Sequence, residues 1–358
     1  NVTTFKDIEN DVTDFVKNGF KAGYQIGLSN FDQIFSTYTG QFITVTGVPS
    51  SGKSDFVDRM IVGYQQKYGW KTAFASPENK PTFLHAHKLM RKIGNWMPNK
   101  TDIGSDKWNE VASVVNDNFF FIENERYDLD SVLNKGAQLV KRKGIKCLVI
   151  DPYNKIKMNG SANMSIPDAT MEYLTRIEAF AKKFDVLVIV VAHPTKMYKK
   201  EDGTIDEPNM YNIKGGGEWY DASYHGLLVH RDYNKKTVKV KVLKVKFQNL
   251  GENQAEAHFK WDHISGNYVP VLDPSNEIIQ DSYVNLIPTS QGGTHVNSLK
   301  SAVTDSIREF MNTHKLTPKN MKIIPDDIWK NTSYLISIKI SDPQFIGQTK
   351  NKLQSTSI

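Results

Sequence analysis

Phe42-Ile43-Thr44-Val45-Thr46-Gly47-Val48-Pro49-Ser50-Ser51-Gly52-Lys53-Ser54 decides the fold. Five apolar or β-branched residues predict a strand, and the next eight match G-x-x-x-x-G-K-S, the pattern of a phosphate-binding loop between a strand and a helix. The glycines let successive backbone N–H groups turn inward around a polyphosphate, and the following helix adds its partial positive N-terminus. Lys53 can reach the β- and γ-phosphates and the Ser54 hydroxyl can ligate Mg²⁺. Gly47, Pro49, Ser50, Ser51, Gly52, Lys53, Ser54 and the following Asp55 are therefore the candidate nucleotide contacts. A chance glycine turn is the competing reading, and it does not explain the flanking strand and helix.

Around this stretch, short apolar runs alternate with helical patterns. Strands are predicted at 42–46, 72–75, 119–122, 147–150 and 186–191, with helices at 54–67, 82–93, 129–141 and 169–183. In the first helix, Phe56, Val57, Met60, Ile61 and Tyr64 recur at helical spacing on one face. Near-continuous apolar strands separated by helices predict an α/β fold whose mainly parallel central sheet is covered on both faces. Residues 226–229 and 238–245 read as added strands, the second alternating valine with lysine. Residues 1–26 read as a linker helix or arm, 27–274 as the nucleotide-binding domain and 275–358 as an α+β tail of different character. The chain has 358 residues, enough for about two domains at ~150 residues each. With 39% hydrophobic and 23% charged residues it is neither disordered nor fibrous. Its longest strongly apolar run, 186–192, is far short of the ~20 residues of a membrane helix, so no membrane partner is expected. The single Cys147 excludes an internal disulfide and fits a reducing cytoplasm. The net charge of +6 permits a polyanionic partner without establishing one.

A nucleotide site of this kind needs acids. Asp151 ends the apolar run Cys147-Leu148-Val149-Ile150, which places it at the carboxyl edge of a parallel sheet beside the phosphate loop, as a candidate Mg²⁺ ligand. Glu78, in Ala75-Ser76-Pro77-Glu78-Asn79, leaves the sheet at the same edge and fits a general base; an acid complementing the next helix dipole is the alternative. His193, just past the last predicted strand of the sheet, could sense a γ-phosphate or be only a satisfied polar residue. The pair His85 and His87 does not suit a metal, because i and i+2 diverge on a helix, and both are expected at the surface. Lys214-Gly215-Gly216-Gly217 can track a sugar-phosphate backbone or form an ordinary flexible loop. Lys239, Lys241, Lys244 and Lys246 read first as a solvated lysine face.

Taken in order, these motifs resemble the RecA-like motor of DnaB/Twinkle-type hexameric replicative helicases, especially phage primase-helicases, over about residues 27–270. The likeness also runs through Gly27-Leu28-Ser29-Asn30-Phe31-Asp32, Asp151-Pro152-Tyr153-Asn154, Ala192-His193-Pro194 and Lys244-Val245-Lys246-Phe247-Gln248-Asn249-Leu250-Gly251. The resemblance implies a RecA-like P-loop NTPase that hydrolyses ATP with Mg²⁺ between subunits of a hexameric ring and translocates on single-stranded DNA through the channel, in a bacterial or phage-infected cell, with a primase or polymerase as a further partner. It casts Glu78 as the catalytic glutamate, His193 as the γ-phosphate sensor, Arg231 against the base, and Lys214 to Gly217 with Lys196 on the DNA. Lys244 and Lys246 become contacts to a neighbouring subunit's nucleotide. Lys246 stands where many members carry arginine, and lysine cannot make the planar bidentate phosphate contact.

From about residue 281 another likeness takes over. Ser282-Tyr283-Val284-Asn285-Leu286-Ile287-Pro288-Thr289-Ser290-Gln291-Gly292-Gly293-Thr294-His295-Val296-Asn297 and Asp342-Pro343-Gln344-Phe345-Ile346-Gly347-Gln348-Thr349-Lys350 resemble the transducer domain of the ATPase subunit of type IIA topoisomerases, that of topoisomerase IV above all. In that family the lysine matching Lys350 reaches a γ-phosphate held by a preceding domain; here the motor occupies that place, so Lys350 is expected to touch no nucleotide. Two rivals to the helicase reading are a recombinase- or clock-type ATPase that binds DNA or partners without unwinding, and a topoisomerase ATPase-subunit fragment.

Overall fold

In the computed structural model the chain forms two units, residues 1–272 and 273–358. The structure describes residues 2–157, 164–195, 206–233, 235–271, 280–314, 316, 323–330, 332–346 and 350–355. In chain order the first unit contains α1 (Phe5–Asn18), α2 (Ser29–Asp32), β1 (Phe42–Thr46), α3 (Lys53–Tyr68), β2 (Lys71–Ala75), α4 (Thr82–Gly94), α5 (Asp106–Asn118), β3 (Phe119–Phe121), α6 (Leu129–Lys143), β4 (Ile145–Ile150), α7 (Ile166–Phe184), β5 (Leu187–Val191), α8 (Gly217–Ala222), β6 (His225–Asp232), β7 (Thr237–Val245), β8 (Glu256–Trp261) and β9 (Tyr268–Val271).

These nine strands form one sheet in the order β3-β2-β4-β5-β1-β6-β7-β8-β9. The first six run parallel and the last three continue antiparallel, as the α/β expectation required. Every residue of β1 and β5 is buried, because helices cover both faces. Ile43, Val45, Val149 and Ile189 point into one core with Phe56, Met60 and Tyr64 of α3. Phe42, Leu148, Ile150 and Val190 point into the other with Val132 of α6 and Leu174 and Ile177 of α7.

Helices α2, α5 and α8 and strands β8 and β9 were not among the expected elements of this unit. In α5 only Val111 is buried, so its apolar periodicity is weak; the usable signal was the cap, where the Ser105 hydroxyl accepts from Trp108 N–H at 3.2 Å. Strands β8 and β9 close the sheet as a hairpin. Its outer member carries Pro270, which an edge strand tolerates and a central one does not. The valine–lysine alternation of β7 breaks at Leu243, where the pairing shifts between Gly226 and Leu227. Its lysines are also less free than expected, since Lys239 reaches Glu256 at 3.2 Å and Lys241 the same acid at 3.5 Å.

His225, opposite Ile43 at the amino edge of the parallel strands, supplies a pH dependence. Its Nε2–H donates to Gln41 Oε1 at 2.8 Å, while Nδ1 is buried without a partner. Burial, then Lys244 and Lys246, pull its pKa down to about 3. The folded pKa lies below the unfolded one, so the unfolded chain binds the extra proton and stability is lost as pH falls from about 6.5 towards 3. Between pH 7 and pH 5 the expected loss is about 2 kcal/mol. Urea titrations of wild type and His225→Asn at the two pH values check this; the same pH difference in both proteins would remove His225 as its cause.

The second unit holds β10 (Gln280–Val284), β11 (Ile287–Pro288), α9 (Thr294–Thr313), α10 (Pro325–Trp329) and β12 (Tyr334–Ile338). Its sheet runs β11-β10-β12, with β12 parallel to β10. The Trp329 indole donates to Thr304 Oγ1 at 3.1 Å, tying α10 to α9. The 347–349 stretch of the quoted tail motif and the expected junction at 274 lie outside the described residues.

Candidate functional site

The parallel strands deliver their carboxyl ends to one edge in near-perfect step. Ala75 pairs with Ile150, Ile150 with Val190, Val45 with Val191 and Thr46 with Leu228. The next residues out are therefore neighbours: the phosphate loop after β1, Glu78 after β2, Asp151 after β4 and His193 after β5. Arg231 lies near the end of β6, on the same edge.

The loop has the shape its sequence requires. Ser50 (φ 63°) and Gly52 (φ 93°) occupy the left-handed region, which turns the intervening amides inward. A Cβ on Gly47 would lie 2.2 Å from the Val229 carbonyl of β6, so only glycine lets the loop approach that strand. The first intrahelical bond runs from Phe56 N–H to the Gly52 carbonyl; the amides of Lys53, Ser54 and Asp55 precede it and stand as the open donors of a helix start. Lys53 Nζ donates to the Gly47 and Val48 carbonyls at 2.8 and 2.9 Å. Burial pulls its pKa down to about 8 against the opposing pull of Asp151 and Glu78. Ser51 Oγ is buried with no hydrogen-bond partner.

Asp151 is 4% exposed. Burial pushes its pKa up to about 6 while a hydrogen bond from Ser54 draws it down, and Asn79 Nδ2 donates to it at 3.4 Å. Glu78 is exposed and meets Lys155 at 3.8 Å. His193 is half-buried; burial and then Lys53 lower its pKa, with Glu78 opposing. The residues present fit a magnesium–polyphosphate: orphaned donors lie at a helix start, an unpartnered hydroxyl sits in the loop, and a hydroxyl and one carboxylate are joined beside them. Among the described residues no group of three or more His, Cys, Asp or Glu could hold a metal alone, in keeping with the habit of Mg²⁺ to share its shell with substrate phosphates and water.

The other expected residues divide between this edge and the opposite one. The carboxylate of Asp55 is turned to Lys92 of α4 at 3.0 Å, leaving its amide to face the loop. Arg231 packs on the rings of Tyr233 and Trp261, 5.3 and 5.9 Å from the centroids, and Tyr233 Oη donates to the Ser50 carbonyl at 3.2 Å. Lys244 and Lys246 are at the opposite edge, since β7 runs antiparallel and Val245 pairs with His225. There Lys244 donates to the Tyr220 carbonyl, and Lys246 lies 4.3 Å from the centre of the Tyr224 ring. They cannot serve their own chain's loop. Lys214 is exposed, and Gly216 caps α8. Lys196 lies outside the described residues.

The expectation of surface histidines at 85 and 87 is corrected for His85. It is 2% exposed and bonds Asp58 Oδ1 at 2.8 Å, with its ring edge-on to Phe74 and Phe121. Burial opposes its charge, yet the Asp58 carboxylate holds its pKa above the ordinary histidine value. Asp58 is four residues past Ser54, on the same face of α3, so this pair stands behind Asp151. Asp58 raises the Asp151 pKa and His85 lowers it. The signal available in the sequence was the acid at position 58 inside an otherwise apolar helix face.

The profile of the family described as DnaB-like helicase C terminal domain matches residues 23–260, and that described as DNA gyrase B matches residues 231–358. A Twinkle homolog protein (chloroplastic/mitochondrial) of Arabidopsis thaliana is 30% identical over 282 residues, 74% of this chain and 39% of that protein. The B subunit of DNA topoisomerase 4 from Haemophilus influenzae is 52% identical over 84 residues, 24% of this chain and 13% of that one. The chain thus spans about two-fifths of the first relative and about an eighth of the second. Among solved structures, the ATPase domain of G40P superposes with a TM-score of 0.62 at 16% identity, covering 76% of this chain and 100% of that one. A DnaB-like replicative helicase, solved in a study of its interactions with primase, superposes at 0.59 and 16%, covering 75% and 67%. Among the described residues no helix is long and apolar enough to cross a membrane.

Proposed function

The chain belongs to the DnaB-like helicase C-terminal domain family through residues 23–260, and from that premise we propose that it is the ATP-hydrolysing motor of a replicative DNA helicase. Membership implies an NTP-hydrolysing enzyme. The convergence of Lys53, Glu78, Asp151 and His193 on one sheet edge, around a loop that opens helix α3, carries the finer reading. The polyphosphate of ATP lies across the amides of Gly52 to Asp55, with Lys53 on its outer phosphates. Ser54 and Asp151 are the residues that would hold Mg²⁺, which when bound neutralises phosphate charge. Glu78, exposed and only loosely held by Lys155, orients and deprotonates the attacking water. His193 stands between Lys53 and Glu78 electrostatically and reads the presence of the last phosphate. Arg231 flanks the base.

Lys244 and Lys246 lie on the edge away from the chain's own loop, and in this reading they act on a neighbour's nucleotide within a ring. The amphipathic α1 supports the ring: it buries no residue and exposes Phe5, Phe15 and Val16. Lys214 to Gly217 contact single-stranded DNA, and a hexameric ring working with a primase is the assembly proposed. No observation on the first unit favours a non-unwinding filament. The helicase-family match ends at residue 260, and a topoisomerase reading does not account for the phosphate loop of the first unit.

Strand displacement on a forked DNA substrate, run with ATPase assays with and without single-stranded DNA and native mass measurement, tests the whole reading. DNA-stimulated hydrolysis without displacement would reject unwinding. For the base, Glu78→Gln is expected to keep nucleotide affinity while hydrolysis falls about 10²- to 10⁴-fold; unchanged turnover would move the role elsewhere.

A further inference from the structure

Asp151 is followed by a single tight turn, Tyr153–Lys155, and that turn touches two distant parts of the molecule. At one end Lys155 meets Glu78 at 3.8 Å. At the other, the Tyr153 ring stands edge-on to Trp219 at 4.7 Å and to Tyr173 of α7 at 4.9 Å. Trp219 is fully buried, and its indole N–H donates to the Lys214 carbonyl at 2.9 Å. The glycine loop is seated on the same patch, because a Cβ on Gly215 would lie 2.4 Å from Thr170 Oγ1. That hydroxyl is 3.5 Å from Tyr153 Oη.

A displacement of the turn has a direct route inward through the Tyr153 ring. Tyr153 packs against a fully buried indole, and a close-packed core transmits a shift instead of dissipating it. The compliant part is the loop, where Gly215 (φ 106°) and Gly216 (φ 63°) sit in backbone regions open to glycine. Tyr173 Oη, in the same cluster, is buried without a partner, so this packing leaves one polar group that a second arrangement can satisfy.

We propose that Tyr153 is a positioning residue, the ring through which the state of the phosphate site sets the placement of the Lys214–Gly217 loop by way of Trp219. This rests on the reading of that loop as the DNA contact.

The test uses the full chain. Affinity for a fluorescein-labelled oligo(dT) is measured with Mg²⁺ and AMP-PNP and again with Mg²⁺ and ADP, and amide hydrogen exchange of residues 206–222 is followed without DNA in the same two nucleotides. Wild type is expected to show a nucleotide-dependent ratio of affinities of about five- to 150-fold, the usual span of coupling between two sites. In Tyr153→Ala the ratio should fall to about one and the exchange difference at 206–222 should vanish, with nucleotide affinity unchanged. Tyr153→Phe, which keeps the ring, should restore both. If the alanine variant does not fold, Tyr153→Leu keeps apolar volume without the ring edge and carries the same expectation. Wild-type coupling in either of these two ringless variants overturns the proposal. A wild-type chain that binds no oligonucleotide in either state defeats the DNA reading instead, and the exchange measurement then still decides whether Tyr153 links the two sites.

Discussion

Replacing Lys53 with alanine is expected to lower nucleotide hydrolysis by at least about 10²- to 10³-fold, the usual cost of removing one preorganised stabiliser of transition-state charge. The side chain is 5% exposed and directs its donors to the loop's own Gly47 and Val48 carbonyls. It is thus already held over the loop, and the loss falls on the chemical step. Burial weakens its charge, so removing it relieves a desolvation cost and the fold should keep its melting temperature. Turnover measured beside a thermal melt separates the two effects. Undiminished turnover in a folded variant would break the assignment of the phosphate loop.

His85→Ala should act on stability instead. It strands the Asp58 carboxylate, 3% exposed, by removing the ring nitrogen that meets it at 2.8 Å. Breaking a buried ion pair from one side costs about 3–5 kcal/mol, here a fall of roughly 10 °C in Tm. Replacing both His85 and Asp58 by leucine should recover most of the loss, since an apolar pair leaves no uncompensated charge. Urea denaturation of wild type and the two variants at neutral pH reads both effects. A single variant as stable as wild type would mean that the pair is not a buried ion pair.

Much of the site was legible because its parts are local. Glycine positions, an apolar strand and a helix start lie within one short, continuous stretch, and the acids that complete it each follow closely on an apolar run. The omissions share a different cause. Helix α5 lies on the surface with one buried side chain, so burial left little imprint on its sequence. Strands β8 and β9 extend the sheet beyond its parallel part, where one face and an edge meet water and the apolar run gives way to His258, Lys260 and Pro270. His85 was misplaced because two histidines separated by one residue say nothing about which of them turns inward.

From the order of residues alone came the glycine-rich loop, the parallel α/β character and the carboxyl edge where the candidate residues gather, since strand period, helix period and glycine conformations are properties of short segments. Tertiary structure decided which charges meet. The partner of His85 is 27 residues away, Lys244 and Lys246 lie on the edge opposite their own loop, and the tyrosine after Asp151 and Pro152 reaches a tryptophan far along the chain, at 219. Such pairings depend on how far each strand is staggered against its neighbour and which helix covers it, and no single segment carries that information.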